Sequence, residues 1–184
     1  MDRDLLNVVR PARGEDAAAI ARVEVETWRA TYPGILPDRV LVGMSLERQR
    51  GSWAGLIRYR PGDVLVAERE DWGLVGFGNC GAQRDTNLPF DGEVFTLYVA
   101  PEAQNQGIGR DLLRAMFARL LEKGRGSALI WVISANPSRF FYERQGGKRA
   151  LFRKIRVGGE LVDAIAYAWP DLTKVAGIPG PPSS

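Results

Sequence analysis

Apolar side chains along the first third of the chain return at helical spacing. Ala21, Val25, Trp28 and Tyr32 stand at i, i+4, i+7 and i+11, the positions of one buried face. The stretch "GEDAAAIARVEVETWRATYPGILP" therefore reads as a helix that Pro33-Gly34 ends. "LLNVVRPA" (5–12) before it reads as a first strand closed by Pro11. "LPDRVLVGM" predicts a short second helix, and Ser45 is the N-cap of a third, "LERQRGSWAGLIRY".

The period then changes. "DVLVAERE" and "GLVGFGNCGAQ", separated by Asp71-Trp72-Gly73, predict a β-hairpin, and "RDTNLPFDG" a polar loop. "EVFTLYVA" is apolar on both faces, as a central strand is. Residues 107–123 give a strong amphipathic helix, with Ile108, Leu112, Leu113, Met116, Phe117 and Leu120 in the stripe and Arg110, Arg114 and Glu122 facing away. "SALIWVI" (127–133) is a buried strand, and "NPSRFFYERQ" a short helix with Asn136 at N-cap and Pro137 at N1. "KRALFRKIRV" and "ELVDAIAYAW" are strands joined at Gly158-Gly159. The order predicts one α/β (α+β) domain over 1–170 with a mixed, mostly antiparallel sheet flanked by helices, and a flexible tail over 171–184, "GIPGPPSS" included.

Composition changes this picture chiefly by exclusion. The 184 residues suffice for one domain with a sizeable core. There is no histidine, which removes Ser-His-Asp and Cys-His nucleophile activation and histidine-based zinc sites, and no metal is expected. The single cysteine, Cys80, allows no internal disulfide and reads as a small buried apolar residue. No apolar run approaches a membrane span and the start lacks a signal-peptide pattern, so a cytoplasmic protein is expected. Any catalysis must come from carboxylates, Tyr, Lys, Ser, Thr and backbone dipoles.

Charge is uneven. Residues 1–99 carry −3, residues 100–157 carry +8 and the rest −2. The basic part begins at a glycine turn, "PEAQNQGIGRD", between the central strand and the amphipathic helix. A polyanionic ligand and a plainly solvated surface both remain open there. Nucleic acid is disfavoured, since the bases form no dense run. A helix start carries unpaired N–H groups, so it binds phosphate readily, and Gly107 and Gly109 permit close approach and positive φ. Gln104, Asn105 and Gln106 add neutral donors and Arg110 a charge. A lone GxG can equally be structural punctuation; it lacks the features of a P-loop or a dinucleotide fingerprint.

The run Gln104-Asn105-Gln106-Gly107-Ile108-Gly109, after "LYVAP", resembles the Q/R-x-x-G-x-G/A signature of the GNAT-type N-acetyltransferase family. About 30 residues on, "ANPSRFFYERQGG" is similar to that family's later helix, with Ser138 where a small Ala is common and Gln145-Gly146-Gly147 in place of the frequent Leu-Gly-Phe. Strand order also matches over roughly residues 6–168.

The resemblance implies acetyl-CoA as cosubstrate, with its pyrophosphate on residues 104–110. It also implies an amine acceptor, a small molecule or peptide, acetylated directly in a ternary complex. Main-chain groups of Leu97, Tyr98 and Val99 would orient the acyl-pantetheine arm, and an N–H near Leu97 would polarise the thioester. Asn136 and Ser138 are candidates for contact with the arm, although capping alone explains Asn136. Tyr142 matches the family's general acid, and could equally be a packing aromatic. Glu93 stands where some members hold a catalytic glutamate; a strand-end charge or structural acceptor is the other reading. Trp28, Tyr32 and Trp53, with Glu24 or Glu26 and the loop near 84–91, are candidates for acceptor recognition. The family often forms dimers, so a homodimer is open, and a non-catalytic acyl-CoA sensor is the alternative function.

Overall fold

The computed structural model describes residues 8–175. Residues 5–7 of the expected first strand, and 176–184 of the expected tail, lie outside the described residues. β1 (Val8–Pro11) is followed by a 3-10 turn at Gly14–Asp16, α1 (Ala17–Thr31), α2 (Asp38–Val42) and α3 (Leu46–Tyr59). β2 (Val64–Arg69) and β3 (Gly73–Ala82) come next, then β4 (Gly92–Val99), α4 (Ile108–Glu122), β5 (Ala128–Ile133), α5 (Arg139–Arg144), β6 (Lys148–Val157) and β7 (Glu160–Trp169).

The seven strands form a mixed sheet in the order β1-β2-β3-β4-β5-β7-β6, which makes β4 the central strand as its two-sided apolar pattern predicts. β4 and β5 pair in parallel, and only from Gly92↔Ala128 to Val94↔Ile130. Pairs β1·β2, β2·β3, β5·β7 and β6·β7 are antiparallel. Among the described residues two compact units arise from interleaved segments: 8–79 with 96–113, and 80–95 with 114–175.

In the first unit, the predicted helix face is buried at Ala21, Val25 and Tyr32, with Trp28 half-buried beside Tyr32. Ser45 caps α3 through its hydroxyl, which accepts from Arg48 N at 3.3 Å. Trp53 of α3 packs edge-on against Phe77 of β3 at 4.9 Å between ring centroids. Arg10 of β1 holds Asp16 by two bonds of 2.7 and 2.9 Å and also pairs with Glu68 of β2, so the entry to α1 is pinned to the sheet edge.

In the second unit, Trp169 of β7 is fully buried, 4.9 Å from the ring of Phe117, and its indole N–H donates to Gln145 O at 2.9 Å. Gly147 makes this docking possible, since a Cβ there would lie 2.8 Å from Trp169 Cζ2 and 2.9 Å from Tyr142 O. Gly158 and Gly159, both at positive φ, turn the β6·β7 hairpin as predicted. Cys80 is buried, its sulfur 3.7 Å from Met116 O.

Two local expectations change. The later helix begins at Arg139, not Pro137; residues 137–138 form the turn into it, because Asn136 Oδ1 takes the Ser138 N–H at 2.8 Å before any helical bond forms. The chain past Asp171 is packed at its beginning. Leu172 is fully buried within a 3-10 turn (Leu172–Lys174), and its N–H bonds Gly126 O at 2.8 Å.

Candidate functional site

The glycine turn is built in the first unit. After β4 a 3-10 turn, Pro101–Ala103, carries the chain to Gln104 in extended geometry. Asn105 then takes φ 61° and Gly107 φ 84°. Two left-handed residues in three reverse the backbone sharply, and Asn is the side chain besides glycine that accepts this region most easily. The first helical bond of α4 joins Asp111 N to Gly107 O at 3.0 Å. The N–H groups of Ile108, Gly109 and Arg110 precede it and have no helical acceptor. They point from the positive end of a fifteen-residue helix, the geometry an anion needs.

This geometry redistributes the predicted roles. Gly109 has helical backbone inside α4, so the positive φ expected of both glycines belongs to Gly107 and to Asn105. A Cβ on Gly107 would also lie 3.1 Å from Arg110 Nη2, because the Arg110 side chain curls back over it while pairing with Asp111 at 3.0 Å. Gln104 and Gln106 use their amides to close the loop, donating to Val99 O at 3.0 Å and Glu102 O at 3.1 Å. Arg69, from the β2·β3 hairpin, donates to Gln106 Oε1 and lies 4.5 Å over the Trp72 ring. Sequence reading missed Arg69, since 37 residues separate it from the amide it holds. Ile108 is fully buried and anchors the helix start.

Leu97, Tyr98 and Val99 are half-buried on β4. Tyr98 packs against Phe77 at 5.6 Å, and Val99 O accepts from both Gln104 and, at 3.4 Å, the Thr27 hydroxyl of α1. Nearby, Glu24 is buried on α1 with one hydrogen bond, accepted from Trp53 Nε1 at 2.8 Å. Desolvation pushes its carboxyl above the usual range, partly opposed by that bond. Glu26 is exposed and lies 3.6 Å from Arg22.

The remaining candidates, Glu93, Asn136, Ser138 and Tyr142, belong to the second unit. Tyr142 is buried in an aromatic cluster: Phe141 edge-on at 5.1 Å, Tyr167 stacked at 6.0 Å and Trp169 edge-on at 6.5 Å. Its neighbour Glu143 accepts from Tyr167 at 3.0 Å and from Arg149 at 2.8 and 2.6 Å. Arg149 and Tyr167 together hold the Glu143 carboxyl below its usual range, and burial raises the Tyr167 phenol. Asn136 is buried and caps the turn, whereas Ser138 is exposed and makes no cap bond with its hydroxyl. Glu93 is buried with both oxygens taken. Oε2 accepts from Arg84 N at 3.2 Å and Nε at 3.1 Å, and Oε1 from Nη2. In this arrangement Arg84 engages both Glu93 oxygens and so ties the loop after β3 to the start of β4. Among the described residues no cluster of His, Cys, Asp or Glu could hold a metal ion, and no helix is long and apolar enough to cross a membrane.

Known proteins share this construction. Residues 60–146, which contain the turn and Tyr142, match the model of the acetyltransferase (GNAT) domain. YncA of Salmonella typhimurium, an acetyltransferase solved with acetyl-CoA, superposes with a TM-score of 0.66 at 20% identity, over 91% of this chain and 94% of that one. PaiA N-acetyltransferase of Thermoplasma acidophilum, solved with coenzyme A, gives 0.63 at 22% identity, over 87% and 98%. In sequence, YuaI of Bacillus subtilis (strain 168), an uncharacterized N-acetyltransferase, is 34% identical over 165 residues, 90% of this chain and 94% of its own. Likeness of that extent, joined to the family model over the turn, means that the chain belongs to the GNAT family of acetyltransferases.

Proposed function

We propose that the protein is an acetyl-CoA-dependent N-acetyltransferase that acetylates a primary amine of a small molecule or peptide, by direct transfer in a ternary complex. The observation that carries this reading is the left-handed turn at Asn105 and Gly107, which leaves three main-chain N–H groups at the start of α4 without helical acceptors. Such a cradle fits a pyrophosphate, and a side chain at Gly107 would be strained at φ 84° and would press on the Arg110 guanidinium beside it. Acetyl-CoA, when bound, supplies an activated acyl group on a good leaving thiolate.

The protein's own part is positioning and proton handling. Ile108, Gly109 and Arg110 donate main-chain N–H groups to phosphate oxygens. Beyond Val94 the parallel pairing of β4 with β5 has ended, so the strand's main chain at Leu97–Val99 is suited to extended, strand-like bonding with the pantetheine arm. An N–H near Leu97 would polarise the thioester carbonyl. Tyr142 Oη would hold the proton given to the departing sulfur. The free amine form is required, since an alkyl ammonium has a pKa near 10. Glu93, spent on Arg84, leaves its deprotonation to water.

Two variants test this with separate readouts. Tyr142→Phe is expected to lower kcat by roughly 100-fold or more while calorimetry shows acetyl-CoA affinity largely kept; full activity would refute the acid role. Gly107→Val places a β-branched residue at φ 84° and is expected to abolish acetyl-CoA binding in a domain that still melts cooperatively. Unchanged binding would overturn the cradle. Wild-type binding without turnover of any amine would favour the sensor.

A further inference from the structure

Where β4 and β5 part, two aromatic rings stand one residue beyond the last register pair, Val94↔Ile130: Phe95 and Trp131. Each is covered by a guanidinium. Arg84 lies 4.7 Å from the Phe95 ring centre and Arg153 3.9 Å from that of Trp131. The loop after β3 joins them, because Arg153 Nη1 bonds Asp85 Oδ2 at 3.3 Å and Asp85 N bonds Gln83 Oε1 at 3.0 Å. All of these residues belong to the second unit.

The hydrogen bonds of this cluster do not balance. Both oxygens of each of its two carboxylates are engaged: Glu93 by Arg84, and Asp85 by Arg153 on one oxygen and by Asn87 on the other. Its donors are in surplus. Trp131 Nε1 and Gln83 Nε2 are buried and have no hydrogen-bond partner. The Gln83 amide cannot simply be flipped to relieve this, since its oxygen is fixed by Asp85 N. Arg84 Nη1 and Arg153 Nε and Nη2 also make no bond. Buried donors without acceptors are rare in native proteins and call for an explanation. Its acceptors are engaged while several of its donors are not, so the cluster is matched to a ligand that brings oxygen rather than to an ammonium. A planar carboxylate, taken in the fork of a guanidinium and by an indole N–H, answers that need.

We infer that the acceptor amine of this protein carries a carboxylate, held by Arg153, Trp131 and Gln83 with Arg84 beside them. The inference rests on the N-acetyltransferase reading and narrows its acceptor class. Arg153, seated over the Trp131 ring, keeps Nε and Nη2 for a ligand, whereas Arg84 is held by Glu93 and contributes its charge beside the site. Trp131 and Gln83 gain the acceptor they lack. The loop that bears Gln83, Arg84 and Asp85 thereby selects the acceptor, while the reacting nitrogen remains uncharged.

The experiment uses the full chain with acetyl-CoA and follows thiol release with L-amino acids, their carboxamides and the corresponding amines without the carboxyl group. The expected result is a kcat/KM at least tenfold higher for the carboxylates, about 1.4 kcal/mol of discrimination. In Trp131→Phe and Arg153→Met, each checked for an intact thermal transition, the ratio of carboxylate to carboxamide is expected to fall toward one. A wild-type ratio near one, or a ratio kept in both variants, overturns the inference and leaves the acetyltransferase reading standing. Failure to acetylate any amine of the three series would remove that reading, and this inference with it.

Discussion

Asp16 and Glu24 stand eight residues apart, one at the entry to α1 and one inside it, and each keeps only 8% of its surface exposed. Their proton affinities move in opposite directions. Arg10 grips Asp16, with the Arg13 N–H as a further donor at 2.7 Å, and holds its carboxyl below the usual range. Glu24 has only the neutral indole N–H of Trp53, and desolvation pushes it up. Equal exposure therefore does not make equal acids; the depth of the surroundings and the partner decide together. Asp16 is fastened to the frame, and Glu24 is a carboxylate held at low cost to its neighbours and some cost to itself.

Breaking the stronger side should give the largest effect. Arg10→Met leaves Asp16 buried without its counter-charge and frees Glu68, for an expected loss of about 3 kcal/mol by chemical denaturation. For a chain of this size that is roughly 6–12 °C in Tm. A loss under 1 kcal/mol would mean that the Arg10 pairs are mere surface ion pairs. Next comes Trp53→Phe, which preserves ring contact with Phe77 but strips Glu24 of its donor, costing about 1–2 kcal/mol. The smallest change is expected from Glu24→Gln, which keeps an oxygen for Trp53 and removes a buried charge. At neutral pH its stability should equal or slightly exceed that of the wild type.

Acid titration sharpens the same contrast. Asp16 has its folded pKa lowered, so its contribution is present above the unfolded value, near 3.8, and is lost as pH falls through the lowered value. Glu24 has its folded pKa raised, so its contribution is complete below the unfolded value, near 4.5, and is lost as pH rises through the raised value. The stability difference between wild type and Glu24→Gln should thus change above pH 4.5 and be flat below it. The difference between wild type and Arg10→Met should shrink at the acid end.

These partners explain how far the sequence could be read. Periodicity exposed α1, α3, α4 and both hairpins, because the 3.6- and 2-residue repeats and the Asp71-Trp72-Gly73 and Gly158-Gly159 turns are local signals. No local signal marks Asp16 as an anchor, since its partner Arg10 joins it to Glu68, 58 positions from Arg10. Glu93 was legible as an important acid, but its role depended on Arg84, which reaches it only after the loop folds back. The left-handed step at Asn105 was hidden because the glycines drew the expectation of positive φ to 107 and 109. The helix start at Arg139 moved because a side-chain turn at Asn136 outcompeted the first helical bonds.

The loop between β4 and α4 has a further consequence, in its response to salt. The amides of Gln104 and Gln106 are bonded to the carbonyls of Val99 and Glu102, Arg110 is paired with Asp111, and Arg69 is bound to Gln106. What it presents to an anion is a set of fixed dipoles on a rigid frame. Dipoles gather few counterions, and a hold built on them gives up little as ionic strength rises. A turn with so few free cations is therefore suited to gripping its ligand equally well in dilute and in salt-rich surroundings.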